Sequence, residues 1–290
     1  MALIERELET QGLLPRGSWS RRGFVMTSLA SGFALSMQPV SAETITTDAQ
    51  GLLAGEVKVP TADGEMPTYR AMPEAGGPFP TVLVVHEAFG VHEHVKDLCR
   101  RFAKLGYYAI APELFARQGN AAALKEPAQI GKLLAGVPTA ELMSDLDAAV
   151  IYAKASGKAD TARLGITGFC WGGFVTWMYA AHNPALKAAV SWYGPDRKLT
   201  ALTPQNPAEI AAELKCPVLA LYGGQDKSIT PEIIDKRRAA CQAAGKTCEN
   251  KIYPDSPHGF NADYRSSYNA ADARDGWARM LAWFKDHGAA

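Results

Sequence analysis

Residues 164–167 are a short apolar run, Leu-Gly-Ile-Thr, followed by Gly168-Phe169-Cys170-Trp171-Gly172-Gly173 and then a helix-like stretch over residues 174–181. Strand, Gly-x-Cys-x-Gly turn and helix together make an elbow. Its turn is too tight for a side chain two positions before or after the centre. The residue at the tip of such an elbow is displayed as a nucleophile, and here it is a cysteine. A thiolate is a strong nucleophile in its own right, so its activation differs from that of a hydroxyl. A free cysteine is also a common small core residue. The glycines on both sides of Cys170 argue against that reading.

The rest of the chain supplies the frame that such an elbow needs. Residues 56–59 and 66–70 read as a hairpin around Ala62-Asp63-Gly64. Residues 80–86 are a β-branched apolar run, as expected for a strand buried on both faces. Residues 91–105 have helical spacing and stop at Gly106. Strands are expected over 107–111, 163–167, 188–192, 217–222 and 249–253, and helices over 139–154, 231–243 and 270–285. The Ala/Gln-rich stretch after the 107–111 strand carries short helical pieces. Alternation of this kind predicts a mostly parallel central sheet with helices on both faces, the α/β-hydrolase fold, with reactive loops beyond the carboxyl ends of the strands.

Three loops then supply a triad in the order nucleophile, acid, base. Cys170 lies at the elbow. Asp226 follows a strand within Gly223-Gly224-Gln225-Asp226, and His258 follows the last strand within Asp255-Ser256-Pro257-His258-Gly259-Phe260. His258 is expected to take the thiol proton and return it to the leaving group, while Asp226 holds the imidazole tautomer and its cation. The helix starting near Trp171 places a positive dipole end beside the sulfur. Asp226 could instead be an ordinary turn residue, with Asp196 as the rival acid; Asp255 is too near His258 in the chain for triad geometry. The loop His86-Glu87-Ala88-Phe89-Gly90-Val91 ends the first core strand. Its Ala88 N–H and the N–H of Trp171 are the expected oxyanion donors. Glu87 then comes within reach of the thiol as a hydrogen-bond partner, the alternative being a structural salt bridge. His86, His92 and His94 fit no metal-binding spacing, and His92 and His94, two apart on a helix, should point away from each other. No metal or cofactor is expected.

Length and charge narrow the remaining choices. The chain has 290 residues with 30 basic and 30 acidic side chains, a balance that points to neither nucleic acid nor a membrane surface as partner. Ser20-Arg21-Arg22-Gly23-Phe24, an apolar run over 24–40 and Val40-Ser41-Ala42 have the order of a twin-arginine export signal with its cleavage site. Residues 1–42 are therefore expected to be a signal handled by the twin-arginine translocation machinery, and residues 43–290 a single periplasmic domain. The polar residues in the run make it a poor membrane span, so no stable membrane anchor is expected. The five cysteines are Cys99, Cys170, Cys216, Cys241 and Cys248. Cys241 and Cys248 flank Gly245, and their spacing leaves both a disulfide and two reduced thiols open.

At this point the chain resembles the dienelactone hydrolases (carboxymethylenebutenolidases) from about Glu56 to Phe284. The landmarks are Val85 to Val91, the run Ala111-Pro112-Glu113-Leu114-Phe115-Ala116-Arg117-Gln118-Gly119, the elbow, the Asp226 loop and His258-Gly259-Phe260. The resemblance implies a Cys170–Asp226–His258 triad, a Glu87 that helps control the thiol–thiolate switch, and an Arg117 that binds a substrate carboxylate. The alternative for Arg117 is a structural ion pair. A second carboxylate-binding arginine follows the histidine by a few residues in that family; Arg265, seven positions after His258, is the nearest here, and whether it takes that role is left open. The expected function is cleavage of small ester or lactone substrates, some bearing a carboxylate, through a thioester. A general carboxylesterase and a thiol-sensing protein on the same fold are the alternatives.

Overall fold

The structure, a computed structural model, describes residues 45–124 and 126–290; the expected export signal, residues 1–42, lies outside the described residues. A hairpin comes first: β1 (Leu52–Thr61) pairs antiparallel with β2 (Gly64–Pro73), and β2 pairs antiparallel with β4 (Tyr108–Pro112). From there β3 (Phe79–Val85), β5 (Ala159–Phe169), β6 (Leu186–Trp192), β7 (Val218–Gly223) and β8 (Cys248–Tyr253) run parallel. The sheet has eight strands in the order β1-β2-β4-β3-β5-β6-β7-β8.

Burial follows position in the sheet. β4 and β7 are buried at every residue, whereas the two edge strands β1 and β8 mix buried or half-buried with exposed positions. A strand covered on both faces needs apolar side chains both up and down, and an edge strand does not. Helices supply the cover. α1 (Glu93–Lys104) meets α6 (Ala270–Asp286) where Phe102 packs on Trp277 and Phe284, with ring centres 4.8 and 6.3 Å apart. α3 (Thr139–Ala155) is tied to α4 (Trp171–His182) by the Tyr179 hydroxyl, which donates to Asp147 at 2.8 Å. α2 (Pro127–Ala135) precedes α3, and α5 (Pro231–Ala243) joins β7 to β8. Among the described residues, no helix is long and apolar enough to cross a membrane.

Most element boundaries match the expected ones to within two or three residues; the hairpin strands and β5 are longer. The helix expected from residue 91 starts at Glu93, because His92 is extended (φ −88°, ψ −179°) and serves as its N-cap. Cys241, near the end of α5, and Cys248, at the start of β8, form a disulfide with a Cα–Cα distance of 6.1 Å. Cys99, Cys170 and Cys216 are free thiols and buried.

Candidate active site

The parallel strands bring their carboxyl ends to one edge of the sheet, and the loops that follow β3, β5, β7 and β8 carry Glu87, Cys170, Asp226 and His258. Cys170 sits between β5 and α4 with φ 53° and ψ −120°, a left-handed conformation that is strained for any residue but glycine. The elbow holds it there. A Cβ on Gly168 would lie 2.2 Å from the Gly172 carbonyl oxygen, and one on Gly172 would lie 2.5 Å from the carbonyl oxygens of both Val85 and His86. The second contact matters for function. It lets the start of α4 back directly onto the end of β3, so the Trp171 backbone and the 86–91 loop are neighbours. Trp171 is the first residue of α4, where a backbone N–H has no acceptor within its own helix. Ala88, in the loop after β3, is buried.

His258 is a quarter exposed along its side chain, and its Nδ1 lies 2.6 Å from Asp226 Oδ2. Asp226 is buried, and its other oxygen accepts from the Ser228 N–H at 2.8 Å and the Ser228 hydroxyl at 2.6 Å. Burial opposes the charge on Asp226, but His258 and the Ser228 bonds outweigh it and hold the carboxyl below its usual range. Burial also works against an imidazolium. The Asp226 charge and then the neighbouring Cys170 overcome it and hold His258 well above its ordinary value. The three expected triad residues are thus brought together in one chain of contacts. The rival acids are elsewhere: Asp196 pairs with Arg237 at 2.5 Å, and Asp255 is exposed.

Glu87 is almost wholly buried, with one oxygen fully occupied. Its Oε2 accepts from Arg265 Nη2 at 3.1 Å and from the Tyr264 hydroxyl, with His92 Nε2 4.0 Å away. Burial resists its ionisation, and the Arg265 charge, with the hydrogen bond from Tyr264, overrides that and holds the carboxyl below its usual range. Its Oε1 has no hydrogen-bond partner, so the expected contact with the thiol is not made. Burial drives His92 down to about 3, with the neighbouring His94 and Arg265 adding to it, so this imidazole is neutral at ordinary pH. The expectation that His92 and His94 point apart is corrected. Their rings stack at 6.2 Å with 19° between planes, and both lie against Tyr264. The helical 100° step does not apply because His92 is the extended cap.

Arg117 is placed differently from the other site residues. It donates to Asp63 in the hairpin turn through Nε (2.7 Å) and Nη2 (2.6 Å), and to Asp145 of α3 at 2.6 Å, with Glu141 3.8 Å away. A substrate carboxylate would have to displace one of these partners. Sequence reasoning did not anticipate Tyr193, whose ring stands edge-on to His258 at 5.0 Å, or Tyr264, nor the Arg265–Glu87 pair. The only local signal for the last two was the polar run Asn261-Ala262-Asp263-Tyr264-Arg265 behind His258.

Comparison with known proteins places the chain among relatives of one family. The dienelactone hydrolase family pattern matches residues 66–288. A protein of Methylorubrum extorquens named "Putative carboxymethylenebutenolidase" is 58% identical over 289 residues, covering 98% of this chain and 99% of that one. A protein of the same name from Escherichia coli K12 is 48% identical over 267 residues, covering 90% and 97%. A crystal structure from Klebsiella pneumoniae, described as a "Putative Dienelactone Hydrolase", superposes with a TM-score of 0.79 at 50% identity, covering 81% of this chain and 98% of that one.

Proposed function

Because this chain belongs to the dienelactone hydrolase family, we propose that it cleaves ester or lactone bonds of small molecules with Cys170 as nucleophile. The observation that supports this most is His258 hydrogen-bonded to Asp226 at 2.6 Å with the Cys170 sulfur acting on the same ring. In the proposed cycle the Cys170 sulfur attacks the carbonyl carbon while His258 holds the proton. The N–H groups of Ala88 and Trp171 receive the oxyanion. Collapse expels the alkoxide, which takes the proton from His258, and leaves a thioester on Cys170. Water, deprotonated by His258, then attacks the thioester, and the released thiolate and carboxylic acid complete the turnover. Asp226 stabilises the imidazolium at both stages. Glu87, clamped by Arg265 and Tyr264, fixes the start of the loop that carries Ala88. None of these steps calls for a cofactor.

Export fits the same proposal. The Cys241–Cys248 disulfide is of the kind that persists in oxidising compartments, which supports the periplasmic destination expected from residues 1–42.

The test is the intact mass of the mature protein after brief exposure to a panel of activated esters and a dienelactone. An acyl adduct on Cys170 with steady turnover is the expected result, and Cys170→Ala should abolish both. The measured mass also locates the cleavage site. Full turnover by Cys170→Ala would remove Cys170 as nucleophile. A reactive thiol that oxidises reversibly but forms no adduct with any ester would favour the thiol-sensing alternative.

A further inference from the structure

His86, the residue after β3, has no role in the cycle above. It is fully buried, and both of its ring nitrogens are engaged. Nδ1 lies 2.6 Å from the Glu87 carbonyl oxygen. An oxygen at that distance must be met by a donor, so Nδ1 carries a proton. Nε2 accepts from the Leu114 N–H at 3.1 Å, with Glu113 Oε1 3.5 Å away. The ring plane is held as well. It stacks on Trp171 with 15° between planes and 5.4 Å between centres, and meets the Phe115 ring edge-on at 4.6 Å. Such a ring has one orientation, and its proton has one acceptor.

That acceptor belongs to the same peptide unit as the Ala88 N–H, the proposed oxyanion donor. A trans peptide is planar, and its C=O and N–H point in opposite directions. Fixing the oxygen on one side therefore aims the hydrogen to the other. Ala88 is buried, yet among the described residues no backbone carbonyl accepts from its N–H, although buried N–H groups are as a rule paired. The other anchors of the loop do not set this plane. Arg265 and Tyr264 hold the Glu87 side chain. Glu113 accepts from the Val91 N–H at 2.7 Å, and a Cβ on Gly90 would lie 2.5 Å from Glu113 Oε2, so that carboxylate holds the far end. The Glu87–Ala88 peptide is left to His86, whose ring also rests on Trp171, the residue of the second proposed donor.

We infer that His86 is a positioning residue for the oxyanion site: its bond to the Glu87 carbonyl turns the Ala88 N–H toward the oxygen that gains charge. This inference rests on the hydrolase reading and adds the group that aims its electrostatic stabilisation. The bond strengthens as the reaction proceeds. When the substrate oxygen takes up negative charge and binds the Ala88 N–H, electron density shifts onto the Glu87 oxygen, which then attracts the Nδ1 proton more strongly. His86 transfers no proton in this role.

The test compares two reactions of Cys170, each followed by intact mass. Acylation by 4-nitrophenyl acetate passes through an oxyanion, whereas alkylation by iodoacetamide expels iodide from a saturated carbon and does not. His86→Leu removes the donor. His86→Asn restores one near the place of Nδ1, and both variants lose the Leu114 contact, so they differ in the bond to Glu87. His86→Leu should slow acylation by about tenfold or more, short of the loss of an entire oxyanion donor, and change alkylation by less than about threefold. His86→Asn should recover acylation to within about fivefold of wild type. Equal losses in both reactions, or a His86→Asn no better than His86→Leu, would overturn the inference. A wild-type measurement covers variants that fail to fold. When Cys170 adds to phenyl trifluoromethyl ketone, a sulfur–carbon bond forms, the carbonyl π pair moves to oxygen and the thiol proton stays on His258. The His86 Nδ1 proton resonance should then move downfield, and a stationary resonance in the adduct would overturn the inference. Unchanged acylation in His86→Leu sinks this inference and spares the hydrolase reading. A wild-type Cys170 that iodoacetamide alkylates and no ester acylates sinks both.

Discussion

Arg265 and Arg117 are both loop arginines that hold carboxylates, and they do opposite work. Arg265 and its partner Glu87 are buried, at 4% and 1% side-chain exposure, beside the nucleophile. Arg117 is a quarter exposed and spreads over Asp63, Asp145 and Glu141, joining the hairpin turn to α3. Inside the protein each charge depends on the other, since removing one leaves its partner unpaired where water does not reach. Arg117 itself is reached by water and shares three carboxylates, two of them at least partly exposed, so only its buried partner Asp145 would be left without a counter-charge. The pKa directions show the same contrast. Glu87 stays ionised despite burial because Arg265 is committed to it, whereas burial pushes Asp145 up in spite of Arg117. The same type of ion pair therefore supports the chemistry in one place and fastens two elements in the other.

The largest expected effect is that of Arg265→Ala. It strands the Glu87 charge, which costs about 3–5 kcal/mol, and calorimetry should show melting lowered by about 10 °C. Ester turnover should fall about 100-fold or more, because the segment leading to Ala88 loses its clamp. Replacing both partners together, Glu87→Gln with Arg265→Met, should recover most of the stability and little of the activity. Melting unchanged in Arg265→Ala would erase the contrast with Arg117.

Acid titration of stability should separate the two clusters by sign. The folded value of Glu87 lies below its ordinary 4.5, so its contribution is complete above that value and is lost as pH falls through the lowered one. The folded value of Asp145 lies above its ordinary 3.8, so its ionised form costs stability, and that cost is relieved as pH falls through the raised value. Denaturant unfolding from neutral pH down into the acid range should give Glu87→Gln a shallower loss than wild type and Asp145→Asn a steeper one. The two variants should therefore depart from the wild-type slope in opposite directions. Matching slopes in all three proteins would count against the assigned directions.

Arg117→Ala should lower stability less than Arg265→Ala, by about 1–3 kcal/mol, because Asp145 loses its partner in a buried place while water still reaches the Arg117 position. The ratio of rates on carboxylate-bearing and neutral esters should shift less than about threefold. A selective loss of tenfold or more on the acidic ester would return Arg117 to the substrate site, as the family resemblance implies.

Much of this was legible along the chain. The elbow could be read because its glycines meet close backbone contacts that any Cβ would break, and those contacts leave a local pattern around Cys170. Asp226 and His258 could be read because each follows a strand, so topology alone brings them to the same edge of the sheet. His92 and His94 were misjudged because one extended φ/ψ pair at the helix cap turned the first ring back over the second. The Glu87–Arg265 pair spans 178 positions, and no local pattern announces which buried charge will neutralise which. Tyr193 stood unremarked at the end of an apolar strand, where an aromatic residue reads as core.

The sequence by itself determined the alternation of strands and helices, the parallel sheet, the elbow that displays Cys170 and the order in which Cys170, Asp226 and His258 follow their strands. These follow from periodicity, steric limits on glycine and chain direction, which act over a few residues at a time. The tertiary structure alone decided that Glu87 leans on Arg265 and not on the thiol, that Arg117 is engaged at the hairpin, that Cys241 bonds Cys248, and that the His86 ring joins the Glu87 carbonyl to the Leu114 N–H. Those outcomes depend on which groups share a region shielded from water. There the strength of each charge and hydrogen bond is set by neighbours distant in the chain.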